Sequence, residues 1–391
     1  MDSKTKFLAG LIITCSFVYF CLYPLSKEST SLSTASVNES AENPNSLYQQ
    51  NNVKSATSVP KPLFTESKSS TVTNKIDSLE KIPECTIDPD SFYGQQLQEE
   101  LAQAKENIEA NWQDIRAKNQ VNPKQQVEYM LYGVKDSLSA SDKLNIFEQY
   151  LTQQPNDVFA LSAAIHYCGL VKNNTACDGT VTRAVEHQKN GYLYLALAAS
   201  KLKQKDYQTA DDLIMKAIKQ PAYNNPYLSN SRNEDQFLAS NTNLPANKRL
   251  MLLGNSRHTG DGLFEIHRSC VMPQKQHLSS ESCYQVGQYL SHSGNIVIDK
   301  MFGLGILESY HQDFNLEMSA DETKSSIDAY LSKSAEYSKL FNYVIADERL
   351  LPTFFSENYD HSEQARMRAL TEQLLDYYQD PDYQPCQKFN Q

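Results

Sequence analysis

The residues best suited to chemistry lie in one short window, RHTGDGLFEIHR, at positions 257–268. It holds two histidines, His258 and His267, and two acids, Asp261 and Glu265. The acids are four residues apart and would share one face of a helix, whereas histidines nine apart would point about 180° from each other. One interpretation of this window is metal binding or acid–base catalysis, and the other is a solvated helix start interrupted by glycine.

A second candidate is Glu308, which ends the apolar segment LGILESY and is followed by Ser309. This Glu-Ser pair on an apolar helix resembles the catalytic segment of lytic transglycosylases. The resemblance implies that Glu308 acts as a general acid on a glycosidic bond, a role that needs a carboxyl in a dry cleft. The Gly-Gln-Met-Pro segment expected downstream is missing from the sequence. The alternative interpretation is a helix that turns polar at its end.

Other catalytic signatures are missing from the sequence. It contains no G-x-S-x-G, P-loop, G-x-G-x-x-G or H-E-x-x-H motif. We therefore expect no cofactor and no metal, and we favour a protein that is not an enzyme. His166 stands alone on an apolar face, which is typical of a core histidine. The net charge of −11 disfavours a nucleic-acid partner, because phosphate binding needs a basic surface.

The N-terminus indicates export. Residues 7–25 are uncharged, follow Lys4 and Lys6, and are long enough to cross a bilayer. The positive-inside rule leaves residues 1–6 in the cytoplasm. We predict a transmembrane signal anchor, with the following chain on the exported side, periplasmic or extracellular. The alternative is a cleaved signal peptide, although the nearest plausible cleavage site, at residues 33–35, lies well beyond the apolar run.

Residues 26–84 predict a disordered linker. About a third of them are Ser or Thr, and their apolar residues have no period, so they bury too little surface to offset the entropy of ordering. Residues 1–84 carry eight basic and eight acidic side chains, and their charges therefore cancel. The whole net charge of −11 belongs to the predicted exported domain, residues 85–391.

Six of the eight cysteines lie in that domain. An even number in an exported domain suggests disulfides, although six cysteines allow fifteen pairings. Proximity along the chain favours two short-range pairs and leaves a third that ties the ends of the domain. The favoured pairs are Cys168–Cys177, Cys270–Cys283 and Cys85–Cys386. Six free buried thiols remain the alternative, and zinc is less favoured because no C-x2-C occurs.

From residue 85 onward the sequence predicts an all-α domain. Strand-like alternation is scarce, whereas apolar residues repeatedly follow helical spacing. Capping residues mark several helix starts. These starts are predicted at Asn122–Pro123, Ser139–Asp142, Ser319–Glu322 and Asp360–Glu363. Residues 220–245 are rich in Asn, Ser and Pro and predict a long loop.

The run from Ile296 to Leu307 is interrupted only by Asp299 and Lys300, which places it largely in the core. Gly303 and Gly305 in this run would let another helix approach closely, since neither has a side chain to hold the second helix away.

A helical repeat lies in the middle of the chain. Residues 190–221 resemble a tetratricopeptide repeat, a helix-turn-helix unit of 34 residues. The matching core positions are Tyr194, Leu197 and Ala198 in the first helix, and Tyr207, Ala210, Ile214 and Ala217 in the second. Two weaker units precede it, at about 123–155 and 156–188. The resemblance implies a superhelix of stacked hairpins over residues 123–221, followed by further helical hairpins over 222–391.

These features favour a membrane-anchored, exported helical-repeat protein that binds another protein or a peptide. Stacked hairpins form an extended concave surface that such folds use for binding. An acidic domain would favour a basic or neutral partner. The alternative is a cell-envelope hydrolase, either lytic-transglycosylase-like through Glu308 or metal-dependent through Glu265 and His267. A structural spacer without a ligand is the third interpretation.

Overall fold

The computed structural model describes residues 82–117, 122–133, 138–171, 175–187, 189–253, 261–272, 277–310 and 320–390. Several sequence predictions lie outside these ranges. They are the stub at 1–6, the anchor at 7–25, the linker up to residue 81, His258 and the cap at Ser319.

The described part of the chain is all-α, as predicted. Its only β pairing is a single bridge between Asn190 and Ala222. The α-helices are α1 Phe92–Ala117, α2 Pro123–Tyr132, α3 Ala140–Gln153, α4 Val158–Cys168, α5 Ala176–Glu186, α6 Gly191–Lys203, α7 Tyr207–Ala217, α8 Tyr227–Asn241, α9 Ala246–Arg249, α10 Asp261–Val271, α11 Ser280–Ser293, α12 Val297–Ser309, α13 Ala320–Ala346, α14 Leu351–Phe354 and α15 Glu363–Tyr377. Short 3-10 turns lie at Leu250–Leu252, Glu348–Leu350, Glu357–Tyr359 and Gln387–Asn390.

Local capping explains where the early helices begin. The Asn122 side chain accepts a hydrogen bond from the Lys124 backbone N–H at 2.9 Å, and Pro123 is the first residue of α2. The Ser139 hydroxyl oxygen accepts from the backbone N–H of Asp142 at 3.1 Å at the start of α3. Each cap satisfies a helix N–H that has no partner within the helix. Both predicted starts are confirmed.

The start of α15 differs from the prediction. Ser362, not Asp360, caps this helix, and its hydroxyl oxygen accepts from the Ala365 N–H at 3.2 Å. The Asp360 carboxylate instead pairs with two guanidinium groups, Arg232 Nη2 at 2.6 Å and Arg366 Nη2 at 3.2 Å. The Arg232–Asp360 pair joins residues that are 128 positions apart and cannot be read from local spacing.

Helices α2–α7, α10 and α11 pack in two rows. In the first row α2, α4, α6 and α10 follow one another, and in the second α3 contacts α5 and α7 contacts α11. Three pairs consecutive in sequence, α2–α3, α4–α5 and α6–α7, connect the rows. Helix α12 then packs against both α10 and α11. The result is a series of paired helices with one continuous core.

Helix α6 lies at the centre of that core. It is buried on nearly every side, and Leu193 and Ala198 have no exposed surface. The hydrogen bond that caps it runs from the Tyr192 N–H to the Asn190 side chain, at 3.1 Å. A helix that is apolar all round is stable only when other helices cover it. The packing of α4, α7 and α10 provides this cover.

The run from Val297 to Leu307 is largely buried, as predicted, and its glycine permits close packing. Gly303 of α12 faces Gly287 of α11, so closely that a Cβ added at Gly303 would lie 2.7 Å from the Gly287 carbonyl oxygen. The same Cβ would overlap the Ser291 backbone nitrogen. The absence of side chains therefore sets the distance between α11 and α12.

The predicted loop at residues 220–245 is wrong, because helix α8 occupies most of it. Long-range contacts hold this polar segment in helical form. The Phe237 ring packs edge-on against Tyr129 at 4.8 Å, and the Tyr132 hydroxyl donates to Asn230 Oδ1 at 2.6 Å. Helix α8 packs against α1, α2 and α9 and so returns the chain to the first helices of the domain.

A second hydrophobic cluster joins the two ends of the domain. It contains residues from α13, α14 and α15 together with Cys85 and Phe389. Asn342 Nδ2 donates to the Cys85 carbonyl oxygen at 2.8 Å, and the Tyr343 hydroxyl donates to the Pro83 carbonyl oxygen. The segment just before α1 is thus held against the last long helices.

The six cysteines of the domain lie in three bonded pairs, each with a Cα–Cα distance of 5.5 Å. That spacing is usual for disulfides. One bond joins α4 to α5, one joins α10 to α11, and one joins the two ends of the domain. The pairs are Cys168–Cys177, Cys270–Cys283 and Cys85–Cys386.

The contact between α11 and α12 generates a prediction. Gly303→Ala should lower the free energy of unfolding by about 1–3 kcal/mol, because the added methyl group meets backbone atoms that cannot move independently. Urea unfolding followed by circular dichroism measures the change. Gly262→Ala in α10 is the control, since its Cβ would find no atom closer than 3.4 Å and should cost nothing. Equal stability of the Gly303→Ala variant and the wild type would contradict this packing.

The disulfides generate a second prediction. The bond between Cys85 and Cys386 spans 301 residues and should contribute roughly 6 kcal/mol in the chain-entropy model, against roughly 3 kcal/mol for Cys168–Cys177, which spans 9. Replacing each pair by serine should therefore destabilise the domain in that order, as measured by urea unfolding. A larger loss from the short-range pair would show that loop closure does not set the ranking.

Candidate binding groove

Three helices of the first row line a small, partly enclosed pocket, which we call the groove. We define the groove by the residues that line it, which come from α4, α6 and α10. They are Ser162 and His166, then Tyr192, Ala196, Ala199, Ser200 and Lys203, and finally Gly262 and Leu263. Small side chains, those of Ala196, Ala199 and Ser200, dominate the α6 part of the groove.

The polar side of the groove is formed by His166 and Lys203. The Lys203 ammonium nitrogen lies 2.9 Å from His166 Nδ1. Because an ammonium group can only donate hydrogen bonds, Nδ1 is the acceptor in this pair. Ser162, one turn before His166, donates from its hydroxyl to the Phe159 carbonyl oxygen at 2.8 Å. The groove thus carries one cationic group on an otherwise small and apolar surface.

The groove encloses little space. Its cavity volume is about 20 Å³, which is enough for about one water molecule. This volume is too small for a metabolite, whose sites usually measure several hundred Å³. It admits little more than the tip of one side chain.

His166 was expected in the core, and that expectation is wrong. The residue is half-buried and lines the groove, where it pairs with Lys203. The apolar residues of α4 face α6 and α3. They suggested a core position for His166, but its side chain lies at the edge of this apolar face.

The candidate catalytic residue His267 is a core residue of α10. It is 7% exposed, and its ring packs against Phe302 of α12 with the centroids 5.3 Å apart. Burial lowers the pKa of His267 to about 4, because an apolar surrounding disfavours the charged imidazolium. Near neutral pH this histidine is uncharged.

The two candidate acids lie in different settings. Glu265 is two residues before His267 and interacts with Arg268 at 3.9 Å across one helical turn. Glu308 is half-buried at the end of α12, and the neighbouring Ser309 is exposed. The His267 ring faces Phe302, six residues before Glu308. None of the three candidates lines the groove.

The repeat-core residues lie where α6 and α7 pack together. Six of the seven are buried, and Tyr207 is half-buried with its ring stacked on His277 at 4.2 Å. The buried ones are Tyr194, Leu197, Ala198, Ala210, Ile214 and Ala217. Lys205, between the two helices, has a φ of 64°, so the chain reverses through a left-handed residue.

A buried polar cluster at the start of α12 was missed by the sequence analysis. We call it the Asp299 junction and define it as Asn225, Asn295, Asp299 and Glu363. Asn225 Nδ2 donates to the two Asp299 oxygens at 3.2 and 3.4 Å. Asn225 and Asn295 exchange two hydrogen bonds of 3.1 Å, and Glu363 accepts from the Val297 N–H at 2.6 Å. The isolated Asp299 within an apolar run was the available signal.

Burial dominates the electrostatics of this junction. Asp299 has no exposed surface, and burial raises the pKa of its carboxyl to about 7. The hydrogen bond from Asn225 acts in the opposite direction but is weaker. Burial also raises the pKa of Glu363.

Comparison of the chain with family models, with curated proteins and with solved structures found no match. In the part of the chain that the structure describes, no three His, Cys, Asp or Glu residues are grouped so as to hold a metal ion. No helix among the described residues is long and apolar enough to span a bilayer.

The environment of His267 predicts how acid affects stability. Its native pKa of about 4 lies below the ordinary value of 6.5, so the unfolded chain takes up this proton first as the pH falls. Stability due to the neutral ring is present above about pH 6.5 and should be lost between pH 6.5 and 4, by up to about 3 kcal/mol.

His267→Gln should remove this part of the pH dependence. The difference in unfolding free energy between the wild type and the variant should shrink as the pH falls from 7 to 4.5, because the remaining titrating groups are common to both. A constant difference for His267→Gln would contradict a buried neutral imidazole.

Proposed function

We propose that this chain is a membrane-anchored, exported protein that binds another protein or a peptide through the groove. The observation that carries the proposal is the shape of the groove. It crosses three helices, has one cationic side, and leaves space for little more than a side-chain tip. An extended partner can contact all three helices at once, whereas a small molecule would find almost no enclosed surface.

The packing of the helices supports the tetratricopeptide-like part of the proposal. Pairs α2–α3, α4–α5 and α6–α7 fall within the three units inferred from the sequence, 123–155, 156–188 and 190–221. We propose that they form a tetratricopeptide-like superhelix, with α4 and α6 contributing first helices to its inner surface. In repeat folds this surface is the one that binds partners.

The anchor and the location follow from the sequence and from the cysteines. Residues 7–25 would hold the protein in a membrane, and residues 26–84 would act as the tether. Three cysteine pairs at bonding distance suit an oxidising compartment such as the periplasm or the extracellular space. The net charge of −11 would favour approach by a basic or neutral partner.

The hydrolase alternative receives less support. A glycosidase needs a general acid in an enclosed, dry site, usually with a second carboxyl nearby. Glu308 is half-buried at a helix end, Glu265 interacts with Arg268, and His267 is enclosed in the core. We therefore rank partner binding above hydrolysis.

Site-specific crosslinking in membranes that carry the full chain tests the proposal. A photoreactive phenylalanine analogue in place of Ala196, which lines the groove, should give one reproducible adduct. The same analogue at Asp212, an exposed residue of α7, should not give that adduct. Equal adducts at both positions, or none at Ala196, would contradict binding in the groove.

Two lysine variants of α6 measure how much Lys203 contributes to partner binding. Lys203→Ala should lower the yield of the Ala196 adduct about tenfold, because a neutral acceptor on the partner would lose its hydrogen bond to the Lys203 ammonium, and hydrogen bonds to a charged group contribute roughly 1.5–3 kcal/mol. Lys201→Ala is the control, since Lys201 lies on the same helix but interacts with Asp206 at 3.8 Å and does not line the groove. An equal effect of the two variants would contradict a role for Lys203.

A further inference from the structure

The Asp299 junction lies where three separate parts of the chain meet. Asn225 belongs to the crossover between α7 and α8, Asp299 to the first turn of α12, and Glu363 to the start of α15. The Asn295 carbonyl oxygen accepts from the Glu363 N–H at 3.0 Å, so this short segment contacts both of the others. The hydrogen bonds of the junction thus attach α8 and the C-terminal helices to the main core.

The groups around Asp299 are mostly neutral. Tyr223 and Asn225 face it from the crossover, and Tyr192 of α6 and Tyr289 of α11 pack around Tyr223 at 6.0 and 5.8 Å. The Gly294 backbone also packs closely against Asp299. A Cβ added at Gly294 would lie 2.8 Å from the Asp299 Cβ.

The charged neighbours do not neutralise Asp299. Glu363 approaches from α15 and adds a like charge, which raises the pKa of Asp299 further. The Arg366 guanidinium, also on α15, binds Asp360 and the Leu228 carbonyl oxygen, each at 3.2 Å. Within the described residues, no lysine, arginine or histidine forms an ion pair with Asp299. An ionised Asp299 would therefore be a buried charge without a counter-ion, which is costly.

We propose that the Asp299 junction is a pH-sensitive attachment, firm in mildly acidic surroundings and weaker at neutral pH and above. When Asp299 is protonated, the crossover and the start of α15 are held by hydrogen bonds between neutral groups. When it ionises, the same site holds an unpaired charge, and opening of the junction lets water reach the carboxylate. The crossover and α8 then separate more often from α12.

The direction of the pH effect follows from the linkage between protonation of Asp299 and opening of the junction. The native pKa of Asp299, about 7, lies above the ordinary value of 3.8. The protonated junction is therefore fully stabilised below about pH 3.8, and this stabilisation is lost as the pH rises to about 7, with no further loss above that. Between pH 5.5 and 7.5 the equilibrium constant for opening should rise about 20-fold.

Hydrogen exchange on the full chain in detergent tests this proposal. After correction for the intrinsic effect of pH on exchange, opening measured at the amides of Asn225, Tyr227 and Val297 should rise about 20-fold between pH 5.5 and 7.5. Amides of α3, far along the chain from the junction, should change less than about twofold and serve as the internal reference. Equal change in α3 and in the junction, or no change in either, would overturn the proposal.

Substitutions test whether the pH dependence of opening comes from the Asp299 carboxyl or from the Glu363 carboxyl. Asp299→Asn keeps the size of the side chain and should abolish the pH dependence at the junction, whereas Asp212→Asn on the exposed face of α7 should leave it unchanged. Glu363→Gln should keep most of it. Loss in Glu363→Gln with retention in Asp299→Asn would overturn the assignment. If Asp299→Asn does not fold, the comparison of the junction with α3 in the wild type still decides.

Discussion

The structure depends on one constraint, which is that helix α6 has almost no polar face. Residues from Tyr192 to Leu202 are nearly all buried, so stable folding requires neighbours on every side. Helices α4 and α10 cover it laterally, and α7 covers it from the second row. The partly exposed residues of α6 are Ala196, Lys201 and Lys203. Ala196 and Lys203 line the groove, whereas Lys201 interacts with Asp206. Because α6 must be covered by other helices, the helices form two rows around it. The residues of α6 that stay partly exposed contribute to the surface that we assign to binding.

Polar groups inside the core serve a different purpose. Apolar packing is tolerant of small shifts, whereas buried amides and carboxyls need specific partners. Asn225 bonds simultaneously to Asn295 and Asp299 and so holds the crossover against both residues. Arg232 similarly fixes Asp360 with two hydrogen bonds of 2.6 and 2.9 Å. These interactions determine where α8 and α15 lie on a core whose apolar surface alone would be less selective.

The sequence predicted what local physics determines. Apolar spacing and caps such as Ser139 gave the helical class and several helix starts, because these depend on residues within one or two turns. The helix at Tyr227–Asn241 was missed because its composition is polar and its partners, including Tyr129 and Tyr132, are about a hundred residues away. The groove could not be predicted for the same reason, since α4, α6 and α10 contribute to it and their arrangement depends on packing. The catalytic and partner predictions remain predictions.

The bond between Cys85 and Cys386 has a mechanical consequence. A pulling force applied to the chain before Ile82 reaches Cys85 within three residues. The disulfide transmits part of this force to the last residues of the chain. The force is then shared between α1 and the C-terminal helices, so α1 does not separate from the rest of the domain by itself. When the chain is pulled from Ile82, the helices in the middle of the domain, α4, α6 and α10, can in this way carry less of the force.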